Sequence, residues 1–419
     1  MKKYYLVRII SVLVAVIFGT CVVFAQSDSS KNVVPQKSIE DFPLKISGVV
    51  QVDVKFQESD NKGSYKPTIG VRRGFLKSTY TNKWGQAVLQ INATERGVSI
   101  KDAYIKLQIP KVEWVNLTAG LFFRPFGYEV SYSASSRETP ERARVITSLF
   151  PDERDIGIAL TFLGTKKSKI NGLKFEVGLM NGNGTALEDK SKYGDVYKDV
   201  VGRLFYSKDF DKISFGVGVS GYYGKVMLFE NTADTTSPFR AFDMTKGRLD
   251  TMNVKGGGLI DRYVCGFEGQ FSVKTRVGKT LLRAEYLFGT QPGRINTNTS
   301  NSSTGYLNSA AAPGDVYLRP FTGLYVYLIQ DVFSPKHSLV FRYDYYDPNS
   351  KFSGNMLRDG DIKYSTYGAG YMFNPSSNVR ILAFYEWIVN EISNSPFVSQ
   401  KFQKDIKDNL LTLRLQYKF

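Results

Sequence analysis

The sequence predicts an all-β fold: a transmembrane, antiparallel, up-and-down β-barrel of about 16 strands with an inward-folded third extracellular loop. Three observations lead to this prediction. Stretches of about ten residues in which apolar and polar side chains alternate recur through most of the chain. The connections between these stretches alternate between short and long. Convincing helical periodicity is absent after the N-terminal segment.

The N-terminal segment is typical of an export signal. Two lysines and an arginine precede the apolar run "IISVLVAVIFGTCVVFA", and Val23 and Ala25 fit the positions before a signal-peptidase cut. A lipoprotein signal at Cys21 is the alternative, although "FGTC" matches it poorly. We therefore expect residues 1–25 to be a signal peptide and the polar residues 26–43 to be a periplasmic lead-in.

The barrel is predicted to occupy residues 44–419. Its first segment, "LKISGVVQVDVKF", places Leu44, Ile46 and Val50 on one face and Lys45 and Gln51 on the other. Equivalent alternation recurs along the chain, so each stretch has one apolar face for lipid and one polar face for the lumen. The predicted strands are 44–56, 68–80, 84–93, 99–109, 114–123, 156–164, 172–180, 199–207, 212–223, 261–273, 279–289, 320–330, 337–346, 363–373, 378–388 and 409–419.

The lengths of the connections distinguish a membrane barrel from a soluble β-sandwich. Those after even-numbered strands are short, for example "TNK", "PKVEW" and "SKDFD". Several after odd-numbered strands are long: 124–155, 181–198, 224–260, 290–319 and 347–362. An outer-membrane barrel has tight turns on its periplasmic rim and longer loops on its extracellular rim, which gives this alternation. Closure of the sheet also satisfies every backbone hydrogen-bonding group inside the lipid.

The last predicted strand, "LLTLRLQYKF", ends on an aromatic residue. Its apolar and cationic faces suit a strand that lies between lipid and lumen and closes the barrel against the first strand. We expect Phe419 to act as the signal read by the barrel assembly machinery. An edge strand of a soluble β-domain is the alternative, but it does not explain why so many exposed faces would carry Tyr and Phe.

Composition limits the functional classes. The chain has 55 Lys and Arg against 39 Asp and Glu, a net charge of +16. Such a balance suits nucleic acid, an anionic membrane or an anionic solute. Export and the lack of a basic helix argue against nucleic acid. After signal cleavage Cys265 is the one remaining thiol, so no disulfide can form within the chain.

Several segments together resemble a known family. The segments "NLTAGLFFRPFGYEVS", "ETPERARVITSLFPDERDIGIAL", "GLMNGNG", "KDVVGRLFY", "LVFRYDYYDPNS" and "NLLTLRLQYKF" are similar in order and spacing to the phosphate-selective porin O and P family of Bacteroidetes-type bacteria. The resemblance covers essentially the mature chain. It implies a 16-stranded outer-membrane porin, usually a homotrimer, with an anion-conducting pore. The arginine ladder and lysine cluster that guide phosphate in that family do not map onto individual residues of this sequence.

Cations outnumber acids on the faces predicted to line the lumen. An excess of positive charge in a water-filled lumen favours anions, and guanidinium groups bind oxyanions through a planar fork of donors. The candidate pore-lining and anion-binding residues are Lys45, Lys55, Arg73, Lys77, Lys106, Arg124, Arg142, Arg144, Arg203, Arg262, Arg283, Arg342, Arg380 and Arg414. The acids on the same faces are Asp53, Asp102, Glu176, Glu268, Glu285, Asp344 and Glu386.

Two features of this candidate set stay open at the sequence level. Arg283 with Glu285, and Arg342 with Asp344, lie two residues apart on one face and can pair with each other. In contrast, Arg72 and Arg73 are adjacent, so strict alternation sends one of them outward or to a rim.

The third extracellular connection, about 124–155, is the predicted constriction loop. It carries arginines and acids in nearly equal numbers. We therefore expect this segment to set a transverse electric field across the pore as much as a positive funnel.

Signals for an enzyme or a metal site are weak. His337 is the only histidine, and no serine motif accompanies it. No His/Cys cluster suits zinc, and "VGKT" at 277–280 lacks the first glycine of a phosphate-binding loop. The loop 301–315 is a candidate calcium site only because it is polar, and an ordinary loop without a bound ion accounts for its composition better. We expect no catalysis and no cofactor.

The sequence thus predicts an outer-membrane porin for passive diffusion of small solutes, biased to anions, with phosphate as one candidate. Its expected partners are small anionic solutes, outer-membrane lipids and two further copies of the chain. The alternative function is a structural or adhesive barrel that binds ligands through its long extracellular loops. Cations that recur on many strands favour the porin, because adhesion would concentrate the chemistry in the loops.

Overall fold

A computed structural model describes residues 43–59, 66–108, 112, 114–151, 153–165, 168–182, 184, 197–229, 241–253, 258–297, 306–307 and 315–419. The predicted signal peptide, nearly all of the lead-in and most of the proposed calcium loop lie outside the described residues. Among the helices that are described, none is long and apolar enough to cross a membrane.

The described part of the chain is mainly β-sheet and contains very little helix. Sixteen long strands form the barrel, and three short ones lie in its connections. The barrel strands are β1 Leu44–Gln57, β2 Lys66–Asn82, β3 Gly85–Thr94, β4 Gly97–Gln108, β5 Val115–Phe123, β6 Arg154–Leu163, β7 Leu173–Met180, β8 Asp199–Asp209, β9 Ile213–Phe229, β12 Leu259–Lys274, β13 Lys279–Gly293, β15 Val316–Val332, β16 Ser334–Asp347, β17 Tyr364–Phe373, β18 Val379–Asn390 and β19 Leu410–Lys418. The short strands are β10 Ala241–Asp243, β11 Asp250–Met252 and β14 Tyr306–Leu307. All sixteen predicted strands are confirmed, with ends shifted by a few residues.

Each barrel strand pairs antiparallel with its neighbours in sequence, and β19 returns to β1. At the seam Val52 lies opposite Leu415 and Asp53 opposite Arg414. The ladder continues to the final residue, because Phe419 N–H donates to Gly48 O at 3.1 Å and Gly48 N–H donates to Phe419 O at 2.9 Å. The sheet therefore has no free edge, as a membrane-spanning sheet requires.

The two faces of the barrel wall have opposite character. On β16, Phe341 is 43% exposed while its neighbour Arg342 is buried, and the same alternation runs along the other strands. Alternation predicts that the apolar parity of the segments 44–56, 172–180, 337–346 and 409–419 contacts lipid. The residues of that parity lie on the outer face, namely Val50, Val52, Phe175, Val177, Leu339, Phe341, Leu413 and Leu415. The predicted register is therefore correct.

Two β-bulges interrupt the regular wall on either side of β3. On β2 the pairing jumps from Gln51–Arg73 to Val52–Val71, so Arg72 is an extra residue. On β4 it jumps from Gln90–Asp102 to Ile91–Ile100, so Lys101 is extra. A bulge re-aims the side chains on its strand. Strict alternation would have sent one member of the Arg72–Arg73 pair outward or to a rim; instead both contact the same interior carboxylate, as described below.

The long connections all lie at one end of the barrel, together with the two-residue β3–β4 turn, and the connections at the other end are short, as expected. We call these ends the short-turn rim and the long-loop rim. The sequence reading missed one long connection, 391–409, between β18 and β19. At the long-loop rim, connections share a hydrophobic core that includes Met244, Tyr317, Phe352, Leu357, Ile362 and Phe402. These loops are therefore packed structures built on the barrel.

Candidate functional site

The segment between β5 and β6, residues 124–151 and 153, is the most buried connection of the described chain. We call it the third connection. It includes the six-residue helix α1, Arg144–Leu149, and its apolar side chains join a core with inward residues of β15, β16 and β18. Phe126, Val145 and Ile146 have no exposed surface. Burial on this scale favours a fixed position because it removes apolar area from water.

Side chains from several strands hydrogen-bond to the third connection. Gln51 of β1 donates to Ala134 O at 3.1 Å, and Arg414 of β19 donates to Pro140 O at 2.8 Å. Arg380 of β18 donates to the carbonyls of residues 135–137. From elsewhere around the barrel, Tyr327 of β15 donates to Glu129 at 2.5 Å. The connection is thus anchored to well-separated strands by their inward side chains.

Two residues with positive φ mark the ends of this segment. Gly127 has φ +54, and a Cβ there would lie 1.9 Å from Glu285 Oε1, so only glycine fits. Its N–H donates to Ser220 Oγ at 2.9 Å. Glu153 has φ +60, a strained value for a residue with a side chain, and its carboxylate binds Arg142 and Arg154.

On one side of the barrel every described interior arginine has a carboxylate partner. We call this the paired wall, the inner face of β6–β9, β12 and β13. Arg203 binds Glu268 through two hydrogen bonds of 2.6 and 2.7 Å. The other pairs are Arg262 with Asp199 at 2.6 Å, Arg124 with Asp155 at 3.1 Å and Arg283 with Glu138 at 3.3 Å.

One of the two suggested same-strand pairs is wrong. Arg342 does bind Asp344, at 2.9 Å, and it also binds Glu386. Arg283, however, pairs with Glu138 of the third connection and lies over the ring of Tyr128. Glu285 instead accepts a hydrogen bond from Tyr325. The third connection brings a second acid to Arg283, which neighbouring positions on one strand could not reveal.

The opposite side, the inner face of β1–β4, borders two cavities; we call it the open wall. The outer cavity, near the long-loop rim, measures about 990 Å³. The inner cavity, near the short-turn rim, measures about 470 Å³ and reaches Lys418 and Phe419. Arg72, Asn92 and Arg142 line both cavities. These three residues therefore lie between the two cavities, and we call their position the neck.

Charge differs between the cavities. The outer cavity is lined by the cations Lys55, Arg72, Arg96, Arg142, Arg144 and Arg342 and by the acids Asp53, Glu95, Glu141, Asp344 and Glu386. The inner cavity is lined by the cations Arg72, Arg73, Lys77, Lys101, Arg142, Arg154 and Lys418 and by the acids Asp102 and Glu153. The outer cavity is nearly balanced, whereas cations dominate the inner one.

Glu141 of the third connection lies close to Arg72 of the neck and to three further arginines. It binds Arg72 at 2.5 Å and Arg73 at 3.0 Å, and it lies 3.5 Å from Arg414 and 3.9 Å from Arg137. Burial alone would raise the pKa of Glu141, but the surrounding guanidinium groups hold that pKa well below its usual range. Glu141 is therefore a permanent anion at working pH.

Arg142 of the third connection also lines both cavities at the neck. It donates to the carbonyls of Glu129 and Tyr132, at 2.7 and 2.9 Å, and pairs with Glu153. Burial lowers its pKa to about 10, and nearby Arg137 adds to the shift. The side chain is still a cation at neutral pH, and three backbone carbonyls and a carboxylate fix its direction.

The candidate residues from the sequence divide into two groups. Those lining a cavity are Lys55, Arg73, Lys77, Arg142, Arg144 and Arg342. Those lining neither are Lys45, Lys106, Arg124, Arg203, Arg262, Arg283, Arg380 and Arg414. Arg72 and Lys101 were missed because each is the extra residue of a bulge. The only available signal was the adjacency of two arginines in an otherwise alternating strand.

No group of three or more potential metal ligands occurs among the described residues. His337 lies beside Tyr371, with 2.5 Å between Nδ1 and the hydroxyl oxygen, and stacks on Phe373. These contacts account for its position at the short-turn rim without a nucleophile.

Comparison with solved structures identifies the fold. No family model matches the sequence, and no curated protein is similar to it. OprB of Pseudomonas putida superposes with a TM-score of 0.56 and 11% identity, over 90% of this chain and 94% of that one. OmpT, an outer-membrane protein of Vibrio cholerae in its trimer form, gives 0.51 and 12%, over 90% and 99%. An anion-selective porin from Comamonas acidovorans gives 0.50 and 10%, over 90% and 99%.

These identities show the fold, which is that of outer-membrane porins. A closed barrel of this fold with an apolar outer face is a bacterial outer-membrane protein.

Proposed function

We propose that this protein is an outer-membrane porin that lets small solutes diffuse passively through a water-filled passage, with a bias to anions. The observation that carries the proposal is the pair of cavities along the open wall, which meet at Arg72 and Arg142. Seven cations against two acids line the inner cavity. A permeating anion would therefore be attracted toward the short-turn rim once it has passed the neck.

The third connection supports this function by narrowing the lumen. Its contacts with β1, β15, β18 and β19 suit a segment that folds into the barrel, fills much of the lumen and leaves space beside the open wall. The passage that remains would then follow β1–β4. The acids of the connection bind arginines directly, so the field at the neck is set by local ion pairs rather than by opposite charges facing each other across a wide gap.

We propose a homotrimer as the functional assembly. The trimer form of the Vibrio cholerae protein that shares this fold supports the idea. We also retain Phe419 as the residue read by the barrel assembly machinery. Its backbone completes the β1–β19 ladder, and a signal at this point would report that the closing strand is ready to pair.

The test is conductance of the purified protein in a planar bilayer under a KCl gradient. We expect a reversal potential of the sign for chloride passage, which weakens at about 1 M salt because the Debye length falls to about 3 Å. A potential of the opposite sign would refute the anion bias, and absence of current would refute the channel.

A preference for phosphate is tested by adding phosphate to the chloride solution and measuring the chloride current. A fall in chloride current at low phosphate concentration would indicate a binding site, with Arg142 and Arg144 the first residues to replace. Arg124 is a poorer candidate, because it is buried against Asp155 and lines neither cavity. An unchanged current would show a general anion pore.

One observation favours the adhesive alternative. The long-loop rim has its own packed core, and Met356, Ile392 and Phe397 are exposed around it. A barrel that carries no current but retains these loops would point to ligand binding at this rim.

A further inference from the structure

The neck between the two cavities contains one cation that alternation should have excluded. Arg72 follows Val71, an outward residue, and precedes Arg73, an inward one. The bulge inserts Arg72 between the pairs Val52–Val71 and Gln51–Arg73 without changing the register on either side. As a result the strand delivers two guanidinium groups to Glu141 from adjacent positions.

The two arginines are not equivalent. The side chain of Arg73 is 7% exposed and that of Arg72 is 40% exposed. Arg73 is fixed by Gln51 and Glu141, so it acts as an anchor between β1 and the third connection. Arg72 borders the outer cavity and the inner one, whereas Arg73 borders only the inner one. A solute that passes from one cavity to the other meets Arg72.

The second bulge, on β4, has the same effect on the other side of β3. Lys101 is the extra residue of β4, it precedes the inward Asp102, and both line the inner cavity. Asp102 is bound by Arg154 at 2.6 Å, so its charge is compensated. The two bulges thus place one additional cation each on the same stretch of the open wall, one at the neck and one below it.

We propose that these bulges are the charge-selectivity device of the channel, with Arg72 as its main determinant and Lys101 as a second, weaker one. The inference rests on the proposed channel function and adds the residues that set its ion preference. Arg124, Arg203, Arg262 and Arg283 of the paired wall cannot take this role, because they are buried and border neither cavity. Of the arginines that Glu141 gathers, Arg72 is the one that lines the neck.

The experiment compares three variants in the KCl-gradient bilayer assay. Arg72→Gln keeps the bulge and removes the charge. Deletion of residue 72 removes both, and leaves Val71 and Arg73 as successive, normally paired residues. Arg248→Gln is the matched control, since Arg248 also pairs with an acid, Asp250 at 2.8 Å, but lies in an exposed connection outside both cavities.

We expect Arg72→Gln to lower the chloride-to-potassium permeability ratio by at least about fivefold. Removal of a unit charge about 4 Å from a permeating ion in water-like surroundings disfavours chloride by about that factor, and the lost repulsion of potassium lowers the ratio further. The deletion should lower the ratio at least as much, Lys101→Gln should lower it less, and Arg248→Gln should leave it unchanged. Single-channel conductance near the wild-type value shows that a variant is folded, and Arg72→Gln alone decides the matter if the deletion does not assemble.

The outcomes separate this inference from the proposed function. If the wild type conducts and Arg72→Gln shifts the ratio no more than Arg248→Gln, the inference is wrong and the channel stands. If the wild type prefers potassium but Arg72→Gln still shifts the ratio further toward potassium, the anion bias is wrong and the device stands. A wild type without current overturns both.

Discussion

The paired wall and the open wall are made from the same residue types on the inner face of the barrel, yet their charged side chains differ in burial and pairing. On the paired wall, Arg203 and Glu268 are both buried and satisfy each other. On the open wall, Arg72 is partly exposed, and Lys77 makes no ion pair with any described residue. From this difference we expect an inward arginine to contribute to permeation only where the third connection leaves it a cavity.

The charged side chains of the two walls also differ in what they contribute to the free energy of unfolding. A buried ion pair recovers little net free energy, because desolvation offsets attraction, but loss of one partner leaves an uncompensated charge. A partly solvated cation costs little and remains available to a passing ion. Changes on the paired wall should therefore alter stability without altering selectivity, and changes on the open wall should do the reverse.

The largest expected effect is on the paired wall. Glu268→Ala leaves the Arg203 guanidinium buried without its bidentate partner, and should lower the free energy of unfolding by about 3–5 kcal/mol. Urea unfolding of the protein in lipid vesicles measures it. The double variant Arg203→Met with Glu268→Leu is the control and should lose less, because neither charge remains. A reversal potential changed by Glu268→Ala would contradict the division between the walls.

The next effect compares the inside of the wall with its outside. Arg342 lies inward on β16 between Asp344 and Glu386, whereas Phe341 points out. Phe341→Arg should lower the free energy of unfolding by about 2–4 kcal/mol, the range for arginine on the lipid face near mid-membrane. Phe341→Leu is the control. An arginine tolerated at this position would mean that the outer face does not contact hydrocarbon here.

The register of this wall is what the sequence predicts well. Alternation indicated the outward side of the predicted strands 44–56, 172–180, 337–346 and 409–419, because one register buries charge in lipid and the other does not. The bulges were not visible, because one extra residue in a strand of more than ten leaves the alternation on either side intact. The sequence also did not reveal which acid each interior arginine binds. Arg283 binds Glu138, which is 145 residues away in sequence, and only the path of the third connection brings the two together.

A third prediction tests how firmly the third connection is anchored, because its position decides which wall borders the cavities. Gly127→Ala places a methyl group 1.9 Å from Glu285 Oε1 at φ +54, and should destabilise this anchor by about 1–3 kcal/mol. Single-channel conductance should rise as the connection loosens. Gly269→Ala on β12 is matched, because no atom lies within 4 Å of a Cβ there, and it should conduct normally. Unchanged conductance in Gly127→Ala would show that the connection does not narrow the passage.

Two acids of the third connection sharpen the comparison further. Glu141 serves the open wall and Glu138 the paired wall. Glu141→Gln should raise the chloride-to-potassium permeability ratio severalfold, because it removes an anion about 4 Å or less from Arg72 and Arg73. Glu138→Gln should leave the ratio unchanged. Because the pKa of Glu141 is held well below its usual range, the wild type should not reproduce the Glu141→Gln ratio between pH 7 and pH 5.

The smallest expected effect is a pH dependence at the long-loop rim, outside both walls. Burial raises the pKa of Asp408 to about 6, nearby Asp405 adds to the shift, and Arg144 opposes it. Asp408 is therefore charged at pH 7.5 and mostly protonated at pH 5. Its protonation removes a negative charge near Arg144, which lines the outer cavity, so chloride preference should rise by less than about twofold because solvent screens the change.

The raised pKa of Asp408 also predicts how the stability of the protein depends on pH. The folded-state pKa lies above the unfolded value of about 3.9, so the folded protein binds this proton more tightly and gains stability as the pH falls from about 7 toward 4. Asp408→Asn should abolish both changes while retaining the neck. A pH response that survives in Asp408→Asn would place the titrating group elsewhere. If that response also vanished in Glu141→Gln, the neck itself would titrate, and the contrast between a permanently charged neck and a titratable rim would fail.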